Sequence, residues 1–380
     1  MDQRVILKPG KEKSLHRRHP WVFSGAVQSA PSFSNGDLLP IYDSAGAFLA
    51  QGFFHNQNSI AGRVLCFDRR PPETVIFEKI NNALTLRKKL FDPKITNAYR
   101  LINAEGDGLS GLIVDVYDHV VVLQISTYGM ERFKSCIVES LVSHLKPKSI
   151  YEKSSSSSRT QEGLELCTGV LYGENIPEVL ILENGIPFYV PIAEGQKTGF
   201  FLDQRSMRAW VGAHAEGKRV LNCFSYTGGF SLYALRGGAT HVDSVDVSPL
   251  AAIFSAKNGH PIIQTDVFDF IKTSPLNYDL IILDPPAFAK KRADVIQACQ
   301  GYKEMNRTVL GKMPPDSFLV TASCSYFIDG PLFQNLLFQA ACEAKRNVRI
   351  VGRHIQAPDH PISLDHPEGD YLKSLVLYIE

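Results

Sequence analysis

The 380-residue chain is long enough for two or three domains, and a content of 44% hydrophobic and 21% charged residues is that of a globular protein with substantial cores. No apolar run reaches the roughly 18 to 20 residues that a membrane span needs, and the basic N-terminus lacks the apolar core of a signal peptide, so the sequence predicts a cytoplasmic protein. A formal net charge of +1 gives no global argument for a polyanionic partner, and seven cysteines without a C-x-x-C pair argue against a disulfide framework or a cysteine-rich zinc site.

Local charge is more informative. Between Arg4 and Arg18 six Lys or Arg residues face one acid, Glu12, and His16 and His19 flank Arg17-Arg18 with Trp21 just beyond. Basic groups beside an aromatic suit phosphate contact and base stacking, which makes Arg17, Arg18 and Trp21 candidate RNA contacts. A solvated basic edge is the other reading of the same residues. Residues 1–73 read as a small β-rich unit, with short strands at 38–42 and 60–65 separated by turn signals such as Asn35-Gly36-Asp37.

A middle α+β domain is expected over 74–185. It opens on a helix at 73–90 that ends in Arg87-Lys88-Lys89, where cations suit the helix dipole. Segments 112–116 and 120–126 form a hairpin pair around Asp118-His119, and the five-serine run 154–158 reads as a mobile loop. Asn184-Gly185 is a two-residue hairpin turn that leads into a last domain, 186–380.

From Arg219 onward apolar strands alternate with helical segments. Strands at 220–223, 241–247, 262–265, 279–283 and 318–322 are joined by helices at 230–235, 249–258, 267–273 and 293–312, with strands at 348–352 and 374–378 completing the sheet. That order predicts an α/β fold with a mainly parallel, doubly wound, Rossmann-like sheet, in which ligands bind at the carboxyl ends of the strands.

The strand ends carry the chemistry. The first ends in Asn222-Cys223-Phe224-Ser225-Tyr226-Thr227-Gly228-Gly229, a glycine turn that is not G-x-G-x-x-G, which disfavours a pyrophosphate cradle. The second ends at Asp246, eighteen residues after Gly228, where an acid can accept both ribose hydroxyls of a nucleoside cofactor; a helix cap is the plainer alternative, for which Ser248 serves equally well. Asp266 ends the third. An adenosine site without a diphosphate suits S-adenosylmethionine better than NAD. The fourth strand ends in Asp284-Pro285-Pro286-Ala287-Phe288 and the fifth in Ser323-Cys324-Ser325, so fold order brings Asp284 and Cys324 to one cleft. His354, Asp359, His360, Asp365 and His366 crowd the tail, but their spacing fits no tetrahedral ligand set and no metal is expected.

Taken together these residues resemble the ribosomal RNA large-subunit methyltransferase I type family, which methylates carbon 5 of a cytosine in 23S ribosomal RNA. Leu15 to Gly25 looks like the family's N-terminal PUA domain, and Gly195-Gln196-Lys197-Thr198-Gly199-Phe200-Phe201-Leu202-Asp203-Gln204-Arg205 like its specific entry motif, near the start of the last domain. The resemblance implies cofactor contacts at Gln196, Thr198, Phe200, Asn222, Phe224, Ser225, Tyr226, Thr227, Gly228, Asp246, Val247, Ser248, Asp266, Val267 and Asp284. It implies catalytic roles for Cys324, as the nucleophile that adds to carbon 6 of cytosine, and for Asp284, as the partner of the base edge. RNA is then the expected partner, and a homodimer is compatible with the chain. A methyltransferase acting on a guanine ring nitrogen also suits a D-P-P motif, and a noncatalytic RNA-binding assembly protein can retain a cofactor pocket. Cys324 is the residue that separates these readings.

Overall fold

The computed structural model of the chain describes residues 4–289 and 291–380 and divides into two compact units. The first holds the chain up to Gly185 together with Pro191–Leu202 and Pro358–Gly369; the second holds Ile186–Val190, Asp203–Ala357 and Asp370–Glu380. No described helix is long and apolar enough to cross a membrane.

The first unit contains two sheets. Six strands run in the order Trp21–Phe23, Ile60–Cys66, Phe48–Phe54, Leu38–Tyr42, Val5–Leu7 and Val27–Ser29. Alternation within Leu38–Tyr42 turns Leu39 and Ile41 onto one face, where they pack with Val5, Leu7, Val22 and Val64. The second sheet orders Cys167–Gly173, Ser149–Ser154, Val120–Ile125, Leu112–Tyr117 and Ala98–Asn103, with Asp118 turning the hairpin at a φ of +54°. The helix Pro72–Leu90 starts with proline in its first turn and Glu73 behind it, both favoured at a helix N-terminus. It buries Val75, Ile76, Ile80, Ala83 and Leu84, and these share one core with Leu101, Val114, Val121 and Leu123 of the second sheet.

Arg87 stands in the last turn of this helix, as expected, and does more than complement its dipole: it is buried, its guanidinium grips both oxygens of Asp107, and Nη2 also donates to the Asp359 carbonyl at 2.8 Å. One expectation is corrected here. The serine run is not one loop, and only Ser155 and Ser156 lie outside regular structure. Ser154 closes the strand Ser149–Ser154, where its hydroxyl donates to Glu152 at 2.7 Å and accepts the Ile125 amide at 2.9 Å, and Ser157–Gln161 is helical. Serine favours loops in water, but a buried hydroxyl with both a donor and an acceptor partner is at home in a strand.

The second unit is built on one seven-stranded sheet: β1 (Arg219–Cys223), β2 (His241–Asp246), β3 (Ile263–Gln264), β4 (Leu280–Leu283), β5 (Ser317–Ser323), β6 (Val348–His354) and β7 (Lys373–Ile379). Their spatial order is β3-β2-β1-β4-β5-β7-β6; the first five are parallel, while β7 runs antiparallel to both β5 and β6. Successive residues of the central strands enter two separate cores. Leu221, Ile281, Leu283 and Leu319 pack on one face, and Val220, Leu280, Ile282 and Val320 on the other. Burial on both faces is why these strands read as continuous apolar runs. The sequence reading places the strands and the helix Val267–Thr273, but it does not place the helix Gly330–Glu343. Its signals are nonetheless present: Asp329 accepts the Leu332 amide at 2.8 Å as the cap, Pro331 follows, and Phe333, Leu336, Leu337, Ala340 and Ala341 are buried at helical spacing.

Candidate active site

The turn after β1 is strained in a way the sequence explains only at one position. Phe224, Tyr226 and Gly228 all take positive φ, at +58°, +47° and +85°. Glycine does so freely, but an aromatic side chain does not, and such conformations persist only where the surroundings fix them. Here they are fixed: the Ser225 amide donates to the Val245 carbonyl at 3.1 Å, the Tyr226 amide to Oδ2 of Asp246 at 2.8 Å, and the Gly228 amide to the Ser225 carbonyl at 2.9 Å. A Cβ at Gly228 would meet the Ser255 hydroxyl at 2.8 Å, so the turn also needs glycine for space.

Three buried polar atoms of this turn, Asn222 Oδ1, Ser225 Oγ and Thr227 Oγ1, have no hydrogen-bond partner among the described residues. An unsatisfied buried group costs about 1–3 kcal/mol, and three within six residues mark a surface shaped for a polar ligand. Below the turn Asn222 is tied into a neutral chain: its amide donates to Ser231 Oγ at 2.8 Å, Ser231 meets Ser244 at 2.5 Å, and Ser244 meets Nε2 of His260 at 2.8 Å. Burial lowers the pKa of His260, so the chain favours an uncharged imidazole.

Asp246 ends β2 half-buried. Its second oxygen, Oδ1, accepts the Ser248 amide at 2.9 Å, and each carboxylate oxygen keeps a further lone pair. The helix cap proper is Ser248, whose hydroxyl accepts the Ala251 amide at 3.3 Å. Beside Asp246, Val247 is 64% exposed, an apolar surface where a flat ring can lie. Asp266 is exposed and caps the helix Val267–Thr273 by accepting the Asp269 amide at 3.1 Å; Val267 is buried in the core.

Asp284 and Cys324 follow neighbouring parallel strands, β4 and β5, whose register pairs Leu283 with Thr321. Asp284 Oδ1 accepts the Gln204 side-chain amide at 2.8 Å. Cys324 is a half-buried thiol outside any disulfide, between two fully buried serines. Ser325 joins the two loops: its hydroxyl accepts the Ala289 amide at 3.3 Å from the Asp284 loop and meets the Tyr302 hydroxyl at 3.0 Å, while the Ser325 amide donates to Ser323 Oγ at 3.3 Å. Phe288 packs on the Tyr302 ring with centroids 4.5 Å apart. The contacts of Gln204, Ser325 and Tyr302 are not foreseen in the sequence, because nothing there tells which side chains meet across many residues.

The remaining predicted residues belong to the first unit. Gln196 is exposed. Thr198 is buried, donating to Asp115 Oδ2 at 2.6 Å and meeting the Tyr117 hydroxyl at 3.0 Å, and the Phe200 amide donates to that same hydroxyl at 3.1 Å. Asp115 is in turn paired with Arg100, and Lys153, its pKa pushed down to about 8 by burial, donates to the carbonyls of Ile192 and Gly195. The Gly195–Phe200 stretch is thereby tied to the middle sheet at four points. Arg17 and Arg18 are exposed, the Arg18 guanidinium 5.1 Å from the centre of the Phe67 ring. Trp21 donates from Nε1 to Glu105 at 3.0 Å and forms one wall of a cavity of about 350 Å³ that Arg63, Gln124, Ser156, Ser158 and Gln161 also line. Among the described residues no group of three or more His, Cys, Asp or Glu is placed to hold a metal ion.

Comparisons with known proteins agree with this architecture. Residues 5–67 match a PUA-like domain and residues 164–377 an S-adenosylmethionine-dependent methyltransferase domain. The ribosomal RNA large subunit methyltransferase I of Photobacterium profundum is 41% identical over 399 residues, covering 100% of both chains, and that of Alteromonas mediterranea is 41% identical over 99% of this chain and 98% of its own. Among solved structures, the candidate methyltransferase SMU.776 complexed with SAH superposes with a TM-score of 0.85 at 26% identity, over 98% of this chain and 99% of that one. The unpartnered polar atoms of the 222–228 turn and the remaining lone pairs of Asp246 are chemically suited to the polar amino-acid and ribose parts of S-adenosylmethionine. The chain belongs to the ribosomal RNA large subunit methyltransferase I family, and its cofactor is S-adenosylmethionine.

Proposed function

We propose that this protein methylates carbon 5 of a cytosine in large-subunit ribosomal RNA, with Cys324 as a covalent nucleophile. The observation that carries the reading is the pairing of Cys324 with Asp284 at adjacent strand ends, their loops joined through Ser325 and Ala289. A ring nitrogen already has a lone pair and needs no adduct, whereas carbon 5 of cytosine is a poor nucleophile in the intact aromatic ring.

S-adenosylmethionine, when bound, supplies an electrophilic methyl group, and Asn222 to Gly228, Asp246 to Ser248, and Asp266-Val267 are the residues of this unit that would hold it. The remaining chemistry belongs to the chain. The Cys324 thiolate adds to carbon 6, breaking the C5–C6 π bond and giving carbon 5 enamine character. Asp284, oriented by Gln204 and acting in its protonated form, accepts from the amino group and donates its proton to N3, which receives the electron pair displaced from the C5–C6 bond as the adduct forms. After carbon 5 has gained its methyl, loss of its proton to a base re-forms the double bond and expels the thiolate. Ala287 stands where some RNA cytosine methyltransferases have a second cysteine, so release relies on other groups. The target base must leave its stack to reach the strand ends, and the basic segment with Arg17, Arg18 and Trp21 is suited to hold the surrounding RNA.

RNA substituted with 5-fluorocytosine tests this. Fluorine cannot leave as a proton does, so elimination stalls and the wild-type protein is expected to form a denaturant-stable complex. Cys324→Ala is expected to form none and to lose methyl transfer by orders of magnitude. Near wild-type methylation by that variant would overturn the covalent mechanism in favour of attack by a ring nitrogen.

A further inference from the structure

The thiol of Cys324 has a cationic neighbour that its own strand does not supply. Lys373 opens β7 and pairs in register with Ser323, the last residue of β5. Its ammonium closes back on the Ser323-Cys324-Ser325 turn: Nζ donates to the Ser325 carbonyl at 2.8 Å and to the Tyr371 carbonyl at 2.7 Å. An ammonium has three N–H bonds, and the third meets no acceptor among the described residues.

The electrostatics run in the matching direction. Burial lowers the pKa of Lys373, while the charge of Cys324, then those of Asp370 and Asp329, favour its protonated form. The coupling is reciprocal: a cation that a thiolate stabilises stabilises the thiolate. On the other side, Tyr302 is fully buried and burial raises its pKa, an effect to which the charge of Cys324 adds. The phenol therefore stays neutral and brings no competing negative charge. Asp284, at the end of the neighbouring strand, is a further acid at this edge of the sheet.

We propose that Lys373 is a positioning residue that fixes the Cys324 turn through the Ser325 carbonyl and holds the Cys324 thiol in its thiolate form. The proposal rests on the reading of Cys324 as the nucleophile, but its test does not. The rate of iodoacetamide alkylation is followed peptide by peptide across pH by mass spectrometry, with the exposed Cys342 as internal reference. In the wild-type protein the Cys324 midpoint is expected below that of Cys342; a midpoint at or above it overturns the proposal without any variant. Lys373→Met is expected to raise the Cys324 midpoint by about one pH unit, roughly a tenfold loss of alkylation rate at neutral pH. The rate at Cys342 should not change, and Lys373→Arg should restore most of the lost reactivity. A merely structural lysine would leave the midpoint where it was. A low midpoint with no adduct on 5-fluorocytosine RNA retains the ion pair and rejects the nucleophile; an adduct with a midpoint indifferent to Lys373 does the reverse.

Discussion

The side-chain amide of Gln204 donates to Oδ1 of Asp284 at 2.8 Å, while its own oxygen, buried, has no partner among the described residues. That bond helps to set the rotation of the carboxylate at the end of β4. Gln204→Leu keeps the volume and removes the donor. We expect single-turnover methylation to fall by up to about a hundredfold, as for a misplaced catalytic group, with the affinity for SAH changed little. An unaltered rate would show that Asp284 is oriented by other contacts.

Asp246 uses both oxygens on backbone amides, those of Tyr226 and Ser248. Asp246→Asn must turn its NH₂ toward one of them, leaving a part-buried amide unpaired, and should destabilise the turn by about 1 kcal/mol. Calorimetry with SAH should show an affinity loss of at least roughly tenfold, since a charge-assisted bond is also weakened. Unchanged affinity would place the ribose partner elsewhere.

Arg17 and Arg18 are exposed on the first unit, just ahead of the strand that Trp21 opens. If both contact phosphates of single-stranded RNA, their replacement by serine should reduce the slope of log K against log salt by about 1.4, or roughly 0.7 per phosphate. An identical slope in the double variant returns this segment to a solvated edge.

Acid should weaken the second unit through its histidines. Burial lowers the pKa of both His260 and His354 from the ordinary value of 6.5, so below that value the unfolded chain binds more protons than the folded one. Stability is then present above pH 6.5 and is lost as the pH falls through the folded-state values. His260→Gln keeps a partner for Ser244 and should flatten the fall, as read from urea midpoints at pH 7.5 and 5. A variant as acid-sensitive as wild type would exclude His260 as a contributor.

The parallel sheet was legible because strands buried on both faces leave apolar runs such as Leu280–Leu283, and because Asp246, Asp284 and Cys324 stand where those runs stop. What stayed hidden depends on contacts between distant residues. The serines at 154–158 have the composition of a loop, but Ser154 pairs in register with Cys167 and its hydroxyl meets the Ile125 amide and the Glu152 carboxylate. Arg87 sits in a basic triplet that looks solvated until Asp107 is seen beside it. Gln204 and Lys373 carry ordinary side chains, and their importance comes entirely from what lies opposite them.

The bond from Arg87 to the Asp359 carbonyl has a consequence for biosynthesis. The Arg100 amide also donates to Asp359, at 3.0 Å. A buried guanidinium near the start of the chain is therefore completed by a residue that leaves the ribosome only after almost all of the second unit has been made. Vectorial assembly cannot finish the first unit on its own. Nascent chains stalled before Asp359 should leave this guanidinium short of an acceptor and open to protease near Pro72–Leu90, and protection should arrive only once Asp359 has emerged.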